Sequence, residues 1–176
     1  EGIGLVKLDR NSNLIWKRRD NFHHDFAVTP DGLIYALNRT MRPVEAEAGE
    51  EAFVMEPILS VLDPGGNEVL RIPLIPCFEK SAYAPLLTRM AKSGDLFHEN
   101  TIQVFDGSLA ERSPLFAAGN ILISVWTLDV LAIVNLDEQR VLWAMTGMWR
   151  RQHESALLPS GNMIVFDNRG NRGGSR

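Results

Sequence analysis

The chain has 176 residues, 45% of them hydrophobic and 23% charged, which suits a folded domain with a core and excludes a disordered or fibrous chain. A net charge of −4 argues against a general nucleic-acid binder. No apolar run approaches the roughly 18–20 residues that cross a bilayer, and the single Cys77 cannot form an internal disulfide.

Short apolar runs separated by turn signals predict strands throughout. Gly2 to Asp9 reads as a strand, followed by the turn Arg10-Asn11-Ser12-Asn13 and a second strand from Leu14 to Lys17. His24 to Thr29 is a third, Pro30-Asp31-Gly32 a tight turn, and Leu33 to Leu37 a fourth. Met41 to Glu56 is acidic and Ala-rich, and reads as a surface excursion or short helix. Ile58 to Asp63 and Glu68 to Ile75 flank the turn Pro64-Gly65-Gly66-Asn67. The stretch from Pro76 to Gly94 reads as an insertion with a helix over Ala84 to Lys92. Strands resume with Ile121 to Trp126, then Val130 to Leu136, a turn at Asp137-Glu138-Gln139, and Arg140 to Met145. Because strand grammar returns unchanged after residues 40–56 and 76–94, both are insertions within one domain spanning 1–176.

A repeat underlies these strands. One copy runs Asp9, Trp16, His24, Pro30 and Gly32; another runs Asp137, Trp143, His153, Pro159 and Gly161, with the same His-to-Gly separation. A looser middle copy has Asp63, Gly66, Leu70 and His98. Four short antiparallel strands per repeat is the grammar of a β-propeller, with the His/Pro-x-Gly hairpin inside and the Asp/Trp hairpin outside. The chain then reads as half a blade, two blades and half a blade. A β-sandwich is the competing all-β fold, but it leaves the repeat unexplained. About three blades cannot close a ring, so the expectation is a fragment of a longer protein.

All four histidines, His23, His24, His98 and His153, fall where the innermost strands open. The repeat therefore predicts that His24, His98 and His153 converge. Three imidazoles support a zinc site with an open position, or an anion site in which one is the nucleophile and its neighbours hold developing charge. Arg150 and Arg151 would add positive potential beside His153.

At these residues the chain resembles the arylsulfotransferase family, the bacterial nucleotide-independent aryl sulfate sulfotransferases. His23-His24-Asp25-Phe26 with Pro30-Asp31-Gly32, Asp95-Leu96-Phe97-His98-Glu99-Asn100, and Gln152-His153-Glu154 through Phe166-Asp167-Asn168 carry the resemblance. It implies a six-bladed propeller in which Ser175-Arg176 begin a further strand. It also implies ping-pong transfer of a sulfuryl group from an aryl sulfate to a phenol, without cofactor. His153 matches the nucleophile that becomes a sulfohistidine. His24 and His98 match histidines that bind sulfate oxygens and assist the departing phenolate, with Asn100 as an auxiliary donor. The family usually has an Arg where Trp126 stands, so Arg150 or Arg151 would have to supply that charge and Trp126 could stack on an aryl group. A non-catalytic propeller binding a small anionic or aromatic ligand, or a protein partner, is the alternative. The resemblance further implies a periplasmic or secreted location, with homo-oligomerisation compatible with it.

Overall fold

The computed structural model describes residues 4–45 and 51–168. The fold is all-β. A hairpin of β1 (Gly4–Leu8) and β2 (Leu14–Arg19) is followed by an antiparallel sheet of β3 (Phe26–Val28), β4 (Ile34–Glu45), β5 (Glu51–Leu62) and β6 (Glu68–Pro73), with β7 (Gly94–Asp95) parallel to β5. A second four-stranded antiparallel sheet comprises β8 (Glu99–Val104), β9 (Ile121–Val125), β10 (Val130–Asn135) and β11 (Arg140–Thr146). A final hairpin joins β12 (His153–Leu157) and β13 (Met163–Phe166). The predicted strand at Ser175-Arg176 lies outside the described residues.

The sheets pack face to face in chain order. Leu37, Leu59, Val61 and Ile72 of the first four-stranded sheet meet Ile121, Ile123, Val130 and Ala132 of the second. On the opposite face Leu122, Leu131 and Ile133 meet Leu157 of β12, while Phe22, Ile34 and Leu62 pack against Leu5 and Trp16 of the first hairpin. Successive residues of a strand point to opposite faces, so β9 and β10, buried on both, are almost wholly apolar, and the one polar side chain within β9, Ser124, is met by the Gln152 amide. Each fully buried Leu or Ile contributes roughly 1.5–3 kcal/mol relative to exposure.

The repeat is visible in the register. Trp16, Leu70 and Trp143 sit opposite Lys7, Val61 and Ile133, and each hairpin shifts register immediately afterwards. Two residues on, Asp9 and Asp63 close their turns by accepting the backbone N–H of Asn13 and Asn67, each at 2.8 Å. In the third copy that place belongs to Asn135, which accepts from Glu138 N–H, and not to the expected Asp137. Gly66 is required where it stands. Its φ is +86°, and a Cβ would come 2.8 Å from the Trp16 ring.

Two local expectations are corrected. The stretch from Met41 to Glu56 contains no helix among its described residues: residues 41–45 and 51–56 extend the β4–β5 hairpin outward in continuous register. The insertion after β6 holds an α-helix, α1 (Leu74–Glu79), and the helix expected over Ala84 to Lys92 is a 3-10 turn over Ala84–Arg89. Cys77 lies buried in α1, where burial pushes its thiol up to about 11. No helix among the described residues is long and apolar enough to cross a membrane.

Candidate active site

The first strands of successive units, β3, β8 and β12, lie side by side. Asp25 accepts the backbone N–H of Ile102 at 3.0 Å, tying β3 to β8. Gln103 grips Leu157 through both its amide oxygen (2.7 Å) and its amide N–H (3.2 Å), tying β8 to β12. The histidines at the head of each strand are thereby brought together. His24, His98 and His153 each offer a nitrogen within 4.8 Å of the others. Ring centroids are 4.6 Å apart for His24–His98, 6.1 Å for His24–His153 and 6.4 Å for His98–His153. Four residues around this cup, His24, His98, Arg151 and Glu154, hold left-handed backbone (φ 47–54°), which costs about 1–3 kcal/mol each for non-glycine residues.

Each imidazole has its Nδ1 engaged from behind, which leaves Nε2 for the cup. His98 Nδ1 is 2.8 Å from Asp95 Oδ2, whose partner oxygen accepts the His98 backbone N–H at 2.9 Å. Arg39, 7% exposed, donates to the same Asp95 Oδ2 at 3.0 Å. Burial alone would push the Asp95 carboxyl up, but His98 and Arg39 outweigh it and hold the group below its ordinary value. His24 Nδ1 is 2.9 Å from His23 Nδ1, and His23 Nε2 is 3.1 Å from Glu99 Oε1. His153 Nδ1 lies 3.2 Å from the Arg151 carbonyl and 2.8 Å from Asn168 Nδ2.

Desolvation first, then electrostatic repulsion from the His98, His23, His153 and Arg39 side chains, pushes His24 down to about 4, so it is neutral at neutral pH. A neutral imidazole has the free lone pair that nucleophilic or acid–base chemistry needs. Among the described residues the same three nitrogens are also close enough together to hold a metal ion.

The remaining predicted residues divide. Arg151 sits over the Trp126 ring, with Cζ 4.3 Å from its centroid, and Trp126 packs 5.0 Å from His98, so both border the cup. Arg150 instead turns to Asp129 at 3.0 Å and is exposed. Asn100 is buried, and its amide donates to the carbonyls of Gln152 (2.9 Å) and His98 (3.4 Å), so its hydrogens already hold backbone. Gln152, fully buried, donates to Val130 O at 3.0 Å and Val125 O at 3.2 Å, fixing the turn that presents His153.

Sequence reasoning gave no role to Asp95, Arg39, Glu99, His23 or Gln152. The signal for Asp95 was available, since Asp-x-x-His spacing lets a loop carboxylate reach back to cap the following residues. Arg39 could not be found that way, because 56 residues separate it from Asp95.

No curated protein matches the chain. A family model, however, matches residues 2–175, nearly its whole length. The chain belongs to the arylsulfotransferase (ASST) family.

Proposed function

We propose that this cup transfers a sulfuryl group from an aryl sulfate to a phenol, without nucleotide, through a sulfohistidine on His153. The observation that carries the reading is three converging imidazoles, each backed on Nδ1, beside a guanidinium stacked on an indole. A sulfuryl group in flight presents three equatorial oxygens and needs an in-line nucleophile opposite the leaving oxygen, much as in phosphoryl transfer.

In this reading His153 attacks sulfur through Nε2, which requires its proton on Nδ1, toward the Arg151 carbonyl, with the Asn168 NH2 turned away from it. The S–N bond forms as the S–O bond to the aryl oxygen breaks, and the electron pair leaves with that oxygen. His98 and His24 face the oxygens. The Asp95 carboxylate balances charge on His98 when an anion is bound. Arg151 supplies the cation that the family usually draws from the position of Trp126, and the Trp126 face receives the aryl ring. Asn100 serves by holding Gln152, and so His153, in place. The phenol then attacks the sulfohistidine and regenerates His153.

The sheet layout of two, five, four and two strands, the fifth strand being the short parallel β7, supports a propeller reading. The His-bearing strands line the axis, and the chain makes up about three blades of a six-bladed ring. Membership of the family supports a periplasmic or secreted site.

The test is transfer from 4-nitrophenyl sulfate to phenol with no nucleotide and with EDTA present. Turnover is expected. Saturable donor binding without turnover would leave a binding module instead, and loss of activity in EDTA would favour a metal held by the three imidazoles.

A further inference from the structure

Behind His24 stand two groups that the transfer chemistry above does not use. Glu99 and His23 have side chains only 1% exposed, and they form a continuous chain, Glu99 Oε1 to His23 Nε2 at 3.1 Å and His23 Nδ1 to His24 Nδ1 at 2.9 Å. The chain starts in the interior and ends at the cup. A hydrogen bond between two Nδ1 atoms needs one donor and one acceptor, so the two rings can satisfy it in only two neutral arrangements.

In the first arrangement Glu99 is a carboxylic acid donating to His23 Nε2, His23 Nδ1–H donates to His24, and His24 carries its proton on Nε2. In the second Glu99 is a carboxylate accepting from His23 Nε2–H, His24 Nδ1–H donates to His23, and His24 Nε2 is bare. Moving one proton along each link while His24 Nε2 gives up its own proton converts the first into the second, and no imidazole becomes charged.

We infer that Glu99 and His23 act as a proton store behind His24, releasing a proton to the departing aryl oxide and recovering one from the incoming phenol. The inference rests on the sulfuryl-transfer reading and adds its proton balance. In the first half-reaction His153 forms its S–N bond and the aryl S–O bond breaks. The aryl oxygen takes the His24 Nε2 proton, His23 passes its Nδ1 proton to His24, and Glu99 passes its own to His23 Nε2. Glu99 ends as a carboxylate and the product leaves as a neutral phenol. In the second half-reaction the acceptor O–H gives its proton to His24 Nε2 as its oxygen attacks sulfur, and the chain reverses. Burial pushes the Glu99 carboxyl up against the His23 hydrogen bond, and at the other end partial desolvation with the repulsion of its His and Arg neighbours holds His24 down. Glu99 and His23 touch no substrate, so they are positioning and proton-supplying residues and not catalytic ones.

The experiment compares single-turnover phenol release from phenyl sulfate, a poor leaving group, and 4-nitrophenyl sulfate, a good one. It uses the wild type, Glu99→Gln and His23→Gln, each read below its melting temperature. General-acid assistance is worth roughly 100- to 10,000-fold where the leaving group needs it. Both variants should lose about 100-fold or more with phenyl sulfate and about tenfold or less with 4-nitrophenyl sulfate. An equal loss with both donors would overturn the relay while leaving transfer intact, because a packing defect does not sense leaving-group basicity. If the wild type releases phenol from neither donor, the transfer reading itself fails and the relay with it. A direct readout is the infrared difference spectrum on adding donor. A carboxylic-acid carbonyl band should be lost in the wild type, and that loss should be missing from the difference spectrum of Glu99→Gln; no loss in the wild type would also overturn the proposal.

Discussion

Replacing Asp95 by Asn tests how the cup is held. Asp95 accepts three hydrogen bonds, from His98 Nδ1, the His98 backbone N–H and Arg39 Nη1, at 2.8, 2.9 and 3.0 Å. Asn keeps one oxygen for the backbone N–H, but its NH2 then faces the Arg39 guanidinium, donor against donor. Arg39 has a side chain only 8% exposed and would lose its countercharge. Breaking a fully buried pair by removing one partner costs about 3–5 kcal/mol. Asp95 retains some solvent, with a side chain 18% exposed, so a loss of about 2–4 kcal/mol is expected. At about 2–4 °C per kcal/mol for a chain of this size, melting should fall by roughly 4–16 °C. The assay is urea and thermal unfolding of Asp95→Asn, Arg39→Met and the double variant. Because Arg39→Met removes the orphaned charge, the double variant should recover more than half the loss. A coupling below about 0.5 kcal/mol, the level expected of independent sites, would refute the claim that Arg39 and Asp95 act as a buried pair.

Three further outcomes follow from the same geometry. His24, at about 4 when folded against 6.5 ordinarily, binds its proton more readily in the unfolded chain. Its contribution to stability is thus complete above about pH 6.5 and lost as pH falls toward 4, and urea unfolding across that window should be flatter in His24→Asn. Arg151→Met should lower kcat/KM for aryl sulfates about 10- to 100-fold, the cost of a hydrogen bond to a charged group, with little change in melting; unchanged kcat/KM would remove Arg151 from the site. Gly66→Ala should destabilise by roughly 1–3 kcal/mol in urea unfolding, since it meets both left-handed backbone and the Trp16 ring, while Gly65→Ala should cost less.

The convergence of His24, His98 and His153 was legible because a repeat carries geometry as well as sequence. Equivalent positions of equivalent hairpins face the same place, whatever lies between them. The pairing of Asp95 with Arg39 was not legible, and the reason lies in the β4–β5 hairpin. Residues 41–56 are rich in Glu and Ala, which favour helix locally. The pairing that begins in the core at Ile34 and Leu62 nevertheless propagates outward through Arg39 opposite Pro57 and Met41 opposite Met55. Tertiary pairing outweighs local propensity there. That extension gives β7 an edge to join, with Asp95 beside Met55, and so sets Asp95 against Arg39. Helix α1 was hidden for a different reason. Leu74–Glu79 is a short apolar run that periodicity cannot assign, and its Pro76 falls in the first turn, where a missing N–H costs nothing. The displacement of the third turn from Asp137 to Asn135 shows the limit of aligning a repeat by residue type alone, since Asn and Asp close such turns equally well.

The proposed role of His153 as nucleophile is tested by mixing the protein with aryl sulfate donor alone and mapping the modified peptide by mass spectrometry. A single acid-labile sulfuryl group on His153 is predicted, formed in step with one equivalent of phenol and absent in His153→Ala. Phenol release in the wild type with no modification at His153, or full activity in His153→Ala, would contradict the account.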